Sequence, residues 1–323
     1  MNKLRIGLYG TNGHQIQNTL VEHPLAVCVA TAAFDRERLP EPLQADPTIR
    51  HYATLDEMLA DDRVDFVSLC SPRRRDQAAE AIRCLEAGKH AYAEKPCAMT
   101  EPELDALIAA AHRSGKAFHE MWTGSAFSQP YRAMRAVVQA GTLGTVVQVL
   151  AQKSYPYHDA RPRDEDVDGG LILQVGVHAL RFVEVVGGSS VEAIYALQTR
   201  LGNPHAGDLR MATSMMMRLA NGGVASVICN YLNPPAFGIW GNEMLRVFGT
   251  EGFVESTDGG TRTRLVLQGE DRGPLDVSDP GPTYLDMILA SLTGQGVMPL
   301  ALEDEVHPTR MLIRARADAL ARG

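Results

Sequence analysis

Short apolar runs separated by helical stretches fill the first third of the chain. "LRIGLY" (4–9), "VCVATAAF" (27–34), "DFVSLC" (65–70), "HAYAEK" (90–95) and "AFHEMW" (117–122) are compact and lack strict alternation. That is the pattern of strands buried on both faces. Between them, Thr54 is followed three residues on by Glu57, and Thr100 by Glu103. Both pairs predict helix starts of the capping-box type. In the second helix Leu104, Leu107, Ile108 and Ala111 share one face, and Gly115 closes it. Repeated strand–helix–strand order predicts a doubly wound parallel sheet over 1–122. From residue 123 the pattern changes. A helix in "QPYRAMRAVVQAG" leads to the strand "TVVQVLAQKSY", and another helix covers roughly 170 to 186. "SVEAIYALQTR", "LRMATSMMMRLANGGVASVICNYL" and "EMLRVFGTEGFVES" then read as hairpin strands, with Asn and Gly in the turns "ANGG" and "GTEG". Residues 123–323 are thus expected to form a second α/β domain with an open, mainly antiparallel sheet. Met211, Met215 and Met217 fall on one face of it, either as core or as a subunit contact.

Composition narrows the function classes. The 323 residues are 45% apolar and 22% charged, enough to bury a large core. A net charge of −8 argues against nucleic acid or an anionic membrane as the main partner. No run approaches the roughly 18 apolar residues of a membrane span. The opening "MNKLRIGLYG" reads as a first strand, not as a signal peptide. Five scattered cysteines without a C-x-x-C pair fit a reducing cytoplasm and no cysteine-built metal site.

Candidate chemistry begins at "YGTNGHQ". Gly10, Thr11, Asn12, Gly13 and His14 form a glycine turn that follows the first strand and is expected to open a helix. Backbone N–H groups in such a turn cradle a dinucleotide pyrophosphate. Asn12 and Gln15 stand where the usual fingerprint has glycines. Asp35, 25 residues after Gly10, suits a ribose 2′-hydroxyl and leans the reading toward NAD. Arg36 and Arg38 beside it keep NADP open. A strand ending in Glu94, Lys95 and Pro96 sets two opposite charges at a sheet edge, either as a solvated ion pair or as part of a catalytic crevice.

Together, "GLYGTNG", "SLCSP", "CLEAGKHAYAEKP", "AGTLGTVVQV", "GGLILQVGVH" and "VFGTEGFVES" resemble the Gfo/Idh/MocA oxidoreductase family over nearly the whole chain. The resemblance implies an N-terminal Rossmann domain and a C-terminal α/β domain. The open sheet of the latter often joins subunits, so a homo-dimer or homo-tetramer is expected. It also implies NAD(P)-linked chemistry at carbinols of sugars, inositols and related polyols. Lys95 would then reach the substrate hydroxyl and the nicotinamide ribose, with Glu94 orienting it across a cis Lys95–Pro96 bond. Ser71 and Pro72 would border the cofactor.

His178 matches the family's general base, but Gln174 stands where the family has aspartate, and Arg181 replaces a second one. Positions 174 and 178 are one helical turn apart, where an aspartate would fix the histidine tautomer. His178 therefore stands open between catalysis, substrate contact and packing. Asp168 can cap this helix, with Gly169 and Gly170 leaving room at its start. Asp76 replaces a common family histidine, and Arg73 to Arg75 read either as a solvated helix start or as holders of an anionic group. The loop "SYPYHDARPRDEDVDGG" carries Tyr155, Tyr157, His158, Arg161 and Arg163, suited to a sugar-like or anionic ligand. His158, Asp159 and His178 match no standard metal spacing. Two alternatives to a polyol dehydrogenase stay open: a nucleotide-binding sensor without turnover, and a lyase or glycosidase using tightly bound NAD.

Overall fold

A computed structural model describes residues 3–121, 123–205 and 207–322. Contacts group the chain into two compact units. One is Met1–Trp122 with Asp166–Asp168 and Tyr284–Val306; the other is Thr123–Glu165, Gly169–Thr283 and His307–Gly323.

The first unit holds β1 (Leu4–Tyr9), β2 (Ala26–Ala32), β3 (Arg50–Tyr52), β4 (Phe66–Leu69), β5 (His90–Ala93) and β6 (Phe118–Glu120). Their order is β3-β2-β1-β4-β5-β6 and every neighbouring pair is parallel. This is the Rossmann order, in which ligands bind beyond the carboxyl ends of the strands. All four residues of β4 are buried, which is why its run is continuously apolar. β3 escapes the sequence pattern because it is a three-residue, largely exposed edge strand. Trp122, the last residue of the fifth apolar run, lies outside the described residues. Both capping boxes are made, at Thr54–Glu57 and Thr100–Glu103. Gly115 ends the Glu101–Ser114 helix with a φ of 65°, as a left-handed cap requires.

One expectation fails here. The glycine turn opens no α-helix, only the four-residue 3₁₀ turn Gln17–Leu20. Asn18 and Thr19 are weak helix formers, and Pro24 disfavours a helical residue just before it. The turn therefore has no α-helix N-terminus behind it to hold phosphate.

The second unit holds β7 (Val146–Ser154), β8 (Val191–Thr199), β9 (Ala212–Leu219), β10 (Val224–Asn230), β11 (Asn242–Gly249), β12 (Gly252–Thr257), β13 (Arg262–Leu267) and β14 (Glu270–Gly273). They form one eight-stranded sheet in the order β14-β13-β12-β11-β7-β10-β9-β8. All pairs are antiparallel except β7 with β10. The β9–β10 and β11–β12 hairpins turn where "ANGG" and "GTEG" place them.

Met211, Met215 and Met217 are all buried within the chain, on the helix-covered side, so they are core and not a subunit contact. The opposite side carries the exposed apolar residues, Tyr195, Leu197, Met216, Val224 and Ile228. The helical stretch Glu165–Val186 is long and apolar enough to cross a membrane by length and composition, yet most of its apolar part is buried inside the protein. It is a core helix.

Candidate active site

The carboxyl ends of β1, β4 and β5 bring most of the predicted cofactor residues to one place. Gly10 follows β1 at a φ of 66°, and a Cβ there would stand 2.1 Å from the Cys70 carbonyl oxygen. Only glycine fits so close to β4. Asn12 N donates to the same carbonyl, and its side chain donates to Pro72 O and Val167 O. Gln15 explains its own presence at a glycine position. Its amide reaches the carbonyls of Tyr9, Gly10 and Ser68 and accepts from Ser68 Oγ at 2.6 Å. With no helix packed there, a long side chain fits and ties β1 to β4.

Ser71, just past β4, is fully buried, and among the described residues its Oγ has no hydrogen-bond partner. A buried hydroxyl is costly unless something outside the protein engages it. That orphaned oxygen, beside a backbone that tolerates no side chain at Gly10, fits a dinucleotide. Asp35 and Arg36 lie further out. Asp35 is exposed and accepts from Glu37 N, while Arg36 donates to Gln44 O at 2.7 Å.

Glu94 closes the turn from below. Its buried carboxylate accepts from His14 N at 2.5 Å, lies 2.9 Å from His14 Nδ1, and accepts from Lys95 N at 2.9 Å. Gly13, at a φ of 140°, rests directly on it: a Cβ would lie 2.5 Å from Glu94 Oε2. Burial pushes the Glu94 carboxyl up, but the His14 hydrogen bond and the charges of His14, Lys95 and Arg74 more than offset this and hold its pKa at about 2. A folded value below the ordinary 4.5 gives stability that is complete above pH 4.5 and lost as pH falls toward 2. The shift corresponds to about 3 kcal/mol. A Glu94→Gln variant should therefore be less stable than wild type at pH 7 and show a flatter loss of stability between pH 5 and 2. Urea midpoints across that range check this; parallel curves for the two proteins would contradict it.

Lys95 itself is only 1% exposed, and its peptide bond to Pro96 is cis. The turn around it is held from three sides. Gln77 Nε2 donates to Glu94 O and Pro96 O, Glu120 Oε1 accepts from Cys97 N at 2.7 Å, and Glu94 holds Lys95 N. Gln77 is oriented by Arg74, which also donates to Asn12 O at 2.8 Å. The three arginines therefore divide. Arg74 is buried and braces the glycine turn, while Arg73 and Arg75 face solvent and pair with Asp166. Asp76 is exposed.

In the second unit His178 is buried within the Gly176–Arg181 helix. Tyr155, one residue past β7, brings its hydroxyl to 3.5 Å from His178 Nε2. Trp240 and His158 continue the ring cluster: Tyr155 and Trp240 centroids are 6.3 Å apart, and His158 stacks on Trp240 at 5.7 Å. Burial lowers the His158 pKa, with Arg161 adding to the effect. Lys153 pairs with Glu243 and lies 4.7 Å over the Tyr155 ring. Tyr157 donates to Asp159, which pairs with His205. Arg163 is exposed. Among the described residues no three His, Cys, Asp or Glu side chains gather as a metal site.

Two local expectations change. Asp168 does not stand at the helix cap. Gly169 and Gly170, at φ of 99° and 72°, turn the chain so that Gly170 takes the position just before the helix. Residues Leu171–Val175 form a π turn, so Gln174 and His178 straddle a π–α junction instead of stacking at ideal α spacing. Such junctions recur at functional sites. Gln77, Glu120, Lys153 and Trp240 were missed in the sequence. Gln77 alone left a trace, as a polar residue at the start of a helix face otherwise made of alanine, cysteine and leucine.

Residues 5–121 match the model of the oxidoreductase family with the NAD-binding Rossmann fold, and residues 131–255 match the GFO/IDH/MocA C-terminal domain. The chain is 28% identical to the trans-1,2-dihydrobenzene-1,2-diol dehydrogenase of Bos taurus over 248 residues, 76% of this chain and 70% of that one. The aldose-aldose oxidoreductase of Caulobacter crescentus, complexed with glycerol, shares the fold with a TM-score of 0.80 at 20% identity, over 100% of this chain and 99% of that one. Levoglucosan dehydrogenase in complex with NADH and L-sorbose does so at 0.80 and 16%, over 100% and 98%. The chain belongs to the Gfo/Idh/MocA family of NAD(P)-dependent dehydrogenases, with an NAD-binding Rossmann domain as its first part.

Proposed function

We propose that this dehydrogenase oxidises a secondary alcohol of a sugar, inositol or related polyol. The carrying observation is Lys95: a buried ammonium at the carboxyl end of β5, with its backbone fixed by Glu94, Gln77 and Glu120. A diol dehydrogenase among the relatives supports an alcohol as the substrate group. Gly10 to His14, Ser71, Pro72 and Glu94 would hold the dinucleotide, and Asp35 favours NAD over NADP. Bound NAD supplies the hydride acceptor. Lys95 Nζ donates a hydrogen bond to the substrate hydroxyl and lowers its effective pKa, and His178 Nε2 takes the proton. Residues 123–323 supply the substrate side through Tyr155, Tyr157, His158, Arg163 and Gln174. A panel of polyols and aldoses with NAD and NADP, read at the reduced-nicotinamide absorbance, tests this. Turnover of at least one polyol is expected; bound NADH with no turnover of any CH–OH donor would contradict it.

The exposed side of the second sheet suits self-association into a homo-dimer or homo-tetramer. Met216 is 66% exposed, with Tyr195 opposite it in register and Leu197 and Ile228 nearby. An apolar patch of this kind is usual at interfaces and unusual on a monomer. Light scattering should give a dimer or larger at micromolar protein; a monomer would contradict it. Five buried, unbridged cysteines fit a cytoplasmic setting.

A further inference from the structure

Arg161 lies in the loop after β7 and is 7% exposed. Its guanidinium sits 3.7 Å over the ring of Tyr231, itself buried. Among the described residues its Nε has no hydrogen-bond partner and no carboxylate pairs with it. Acidic residues outnumber basic ones in this chain, 39 to 31, and Asp159 is only two residues away. Yet Asp159 turns to His205 and Tyr157 instead. A buried guanidinium without a counter-ion is costly. Its stacking on Tyr231 holds the planar fork in one orientation, the preparation needed for a bidentate anion.

Register places this fork near the candidate base. β7 and β10 run parallel, with Ser154 opposite Asn230. Tyr155 and Tyr231 therefore stand side by side one residue further on, on strands about 4.8 Å apart. Tyr155 faces His178 and Tyr231 carries Arg161. We infer that Arg161 binds a carboxylate on the substrate, so that the preferred substrates are polyhydroxy acids such as uronates and aldonates. That the bound acid is a substrate rests on the reading of His178 as the base; the carboxylate site itself does not.

The test is calorimetric titration of the full-length protein, with NADH present, using D-glucuronate and D-gluconate against D-glucose and D-glucitol. Wild type should bind the acids at least tenfold more tightly than the neutral sugars. Arg161→Met should weaken acid binding about 10- to 100-fold, the usual worth of a hydrogen-bonded charge, and leave neutral binding unchanged. Arg161→Lys should fall between. Without ligand, Arg161→Met should unfold at the same temperature as wild type or higher, since it removes an unpaired buried charge and keeps the stacked stem. Equal affinity for acids and neutral sugars, no binding of the acids, an Arg161→Met variant that still prefers acids, or one that melts several degrees lower would each overturn the inference. Turnover of neutral polyols would then still uphold the dehydrogenase reading. Acids bound through Arg161 with no turnover of any donor would do the opposite, sinking the dehydrogenase reading and keeping the carboxylate site.

Discussion

Replacing Lys95 by methionine should lower kcat by about 10³-fold while NADH affinity stays within a few-fold of wild type. Methionine keeps most of the packed stem and loses only the ammonium. The backbone of the turn should survive the change, because Gln77, Glu94 and Glu120 hold its peptide groups by hydrogen bonds that the variant keeps. A loss confined to kcat would mark a group that acts as the hydroxyl gives up its proton and the carbinol carbon its hydride, not one that merely holds cofactor. Arginine should fail almost as badly, since a fork is bulkier than an ammonium at a fully packed position. Initial rates of nicotinamide reduction and a fluorescence titration of NADH separate the two effects. A Lys95→Met protein with wild-type kcat would remove the lysine from the chemistry.

His178→Gln should cost about 10²-fold in kcat near neutral pH and abolish the acidic limb of the pH–rate profile, the signature of a lost general base. Gln174→Asp should act in the opposite direction. A carboxylate near an imidazole favours the protonated form and so makes the ring a better proton acceptor. A shift of one pKa unit is about 1.4 kcal/mol, so an acceleration of up to about tenfold is the natural scale. The π turn at Leu171–Val175 takes position 174 off the ideal α spacing from 178, which should place the gain below that ceiling. A Gln174→Asp variant that is unchanged or slower would count against His178 as the base, even if His178→Gln is inactive.

Much of this arrangement was legible in the chain because it depends on local pattern. Buried parallel strands write continuous apolar runs, and the two capping boxes write helix starts. The part that was not legible depends on tertiary partners. β3 is short and lies on an edge, so it carries no apolar signature. β13 and β14 are rich in arginine and acidic residues because they flank the sheet's exposed margin. The role of Gln15 at a glycine position was hidden because its amide partner, Ser68, lies about fifty positions away in the chain. Spacing suggested that Asp168 caps a helix, and two glycines at positive φ redirected the chain instead. The three arginines looked alike in sequence; only burial separates Arg74, which braces the turn, from its solvated neighbours.

The most direct test of the account is a comparison of kcat for Lys95→Met, His178→Gln and the double variant on one polyol substrate. Groups that act on the same hydroxyl are strongly non-additive. The double variant should therefore turn over within a few-fold of the slower single variant. Losses that multiply would show that the lysine and the histidine work independently, and the account would be wrong at its centre.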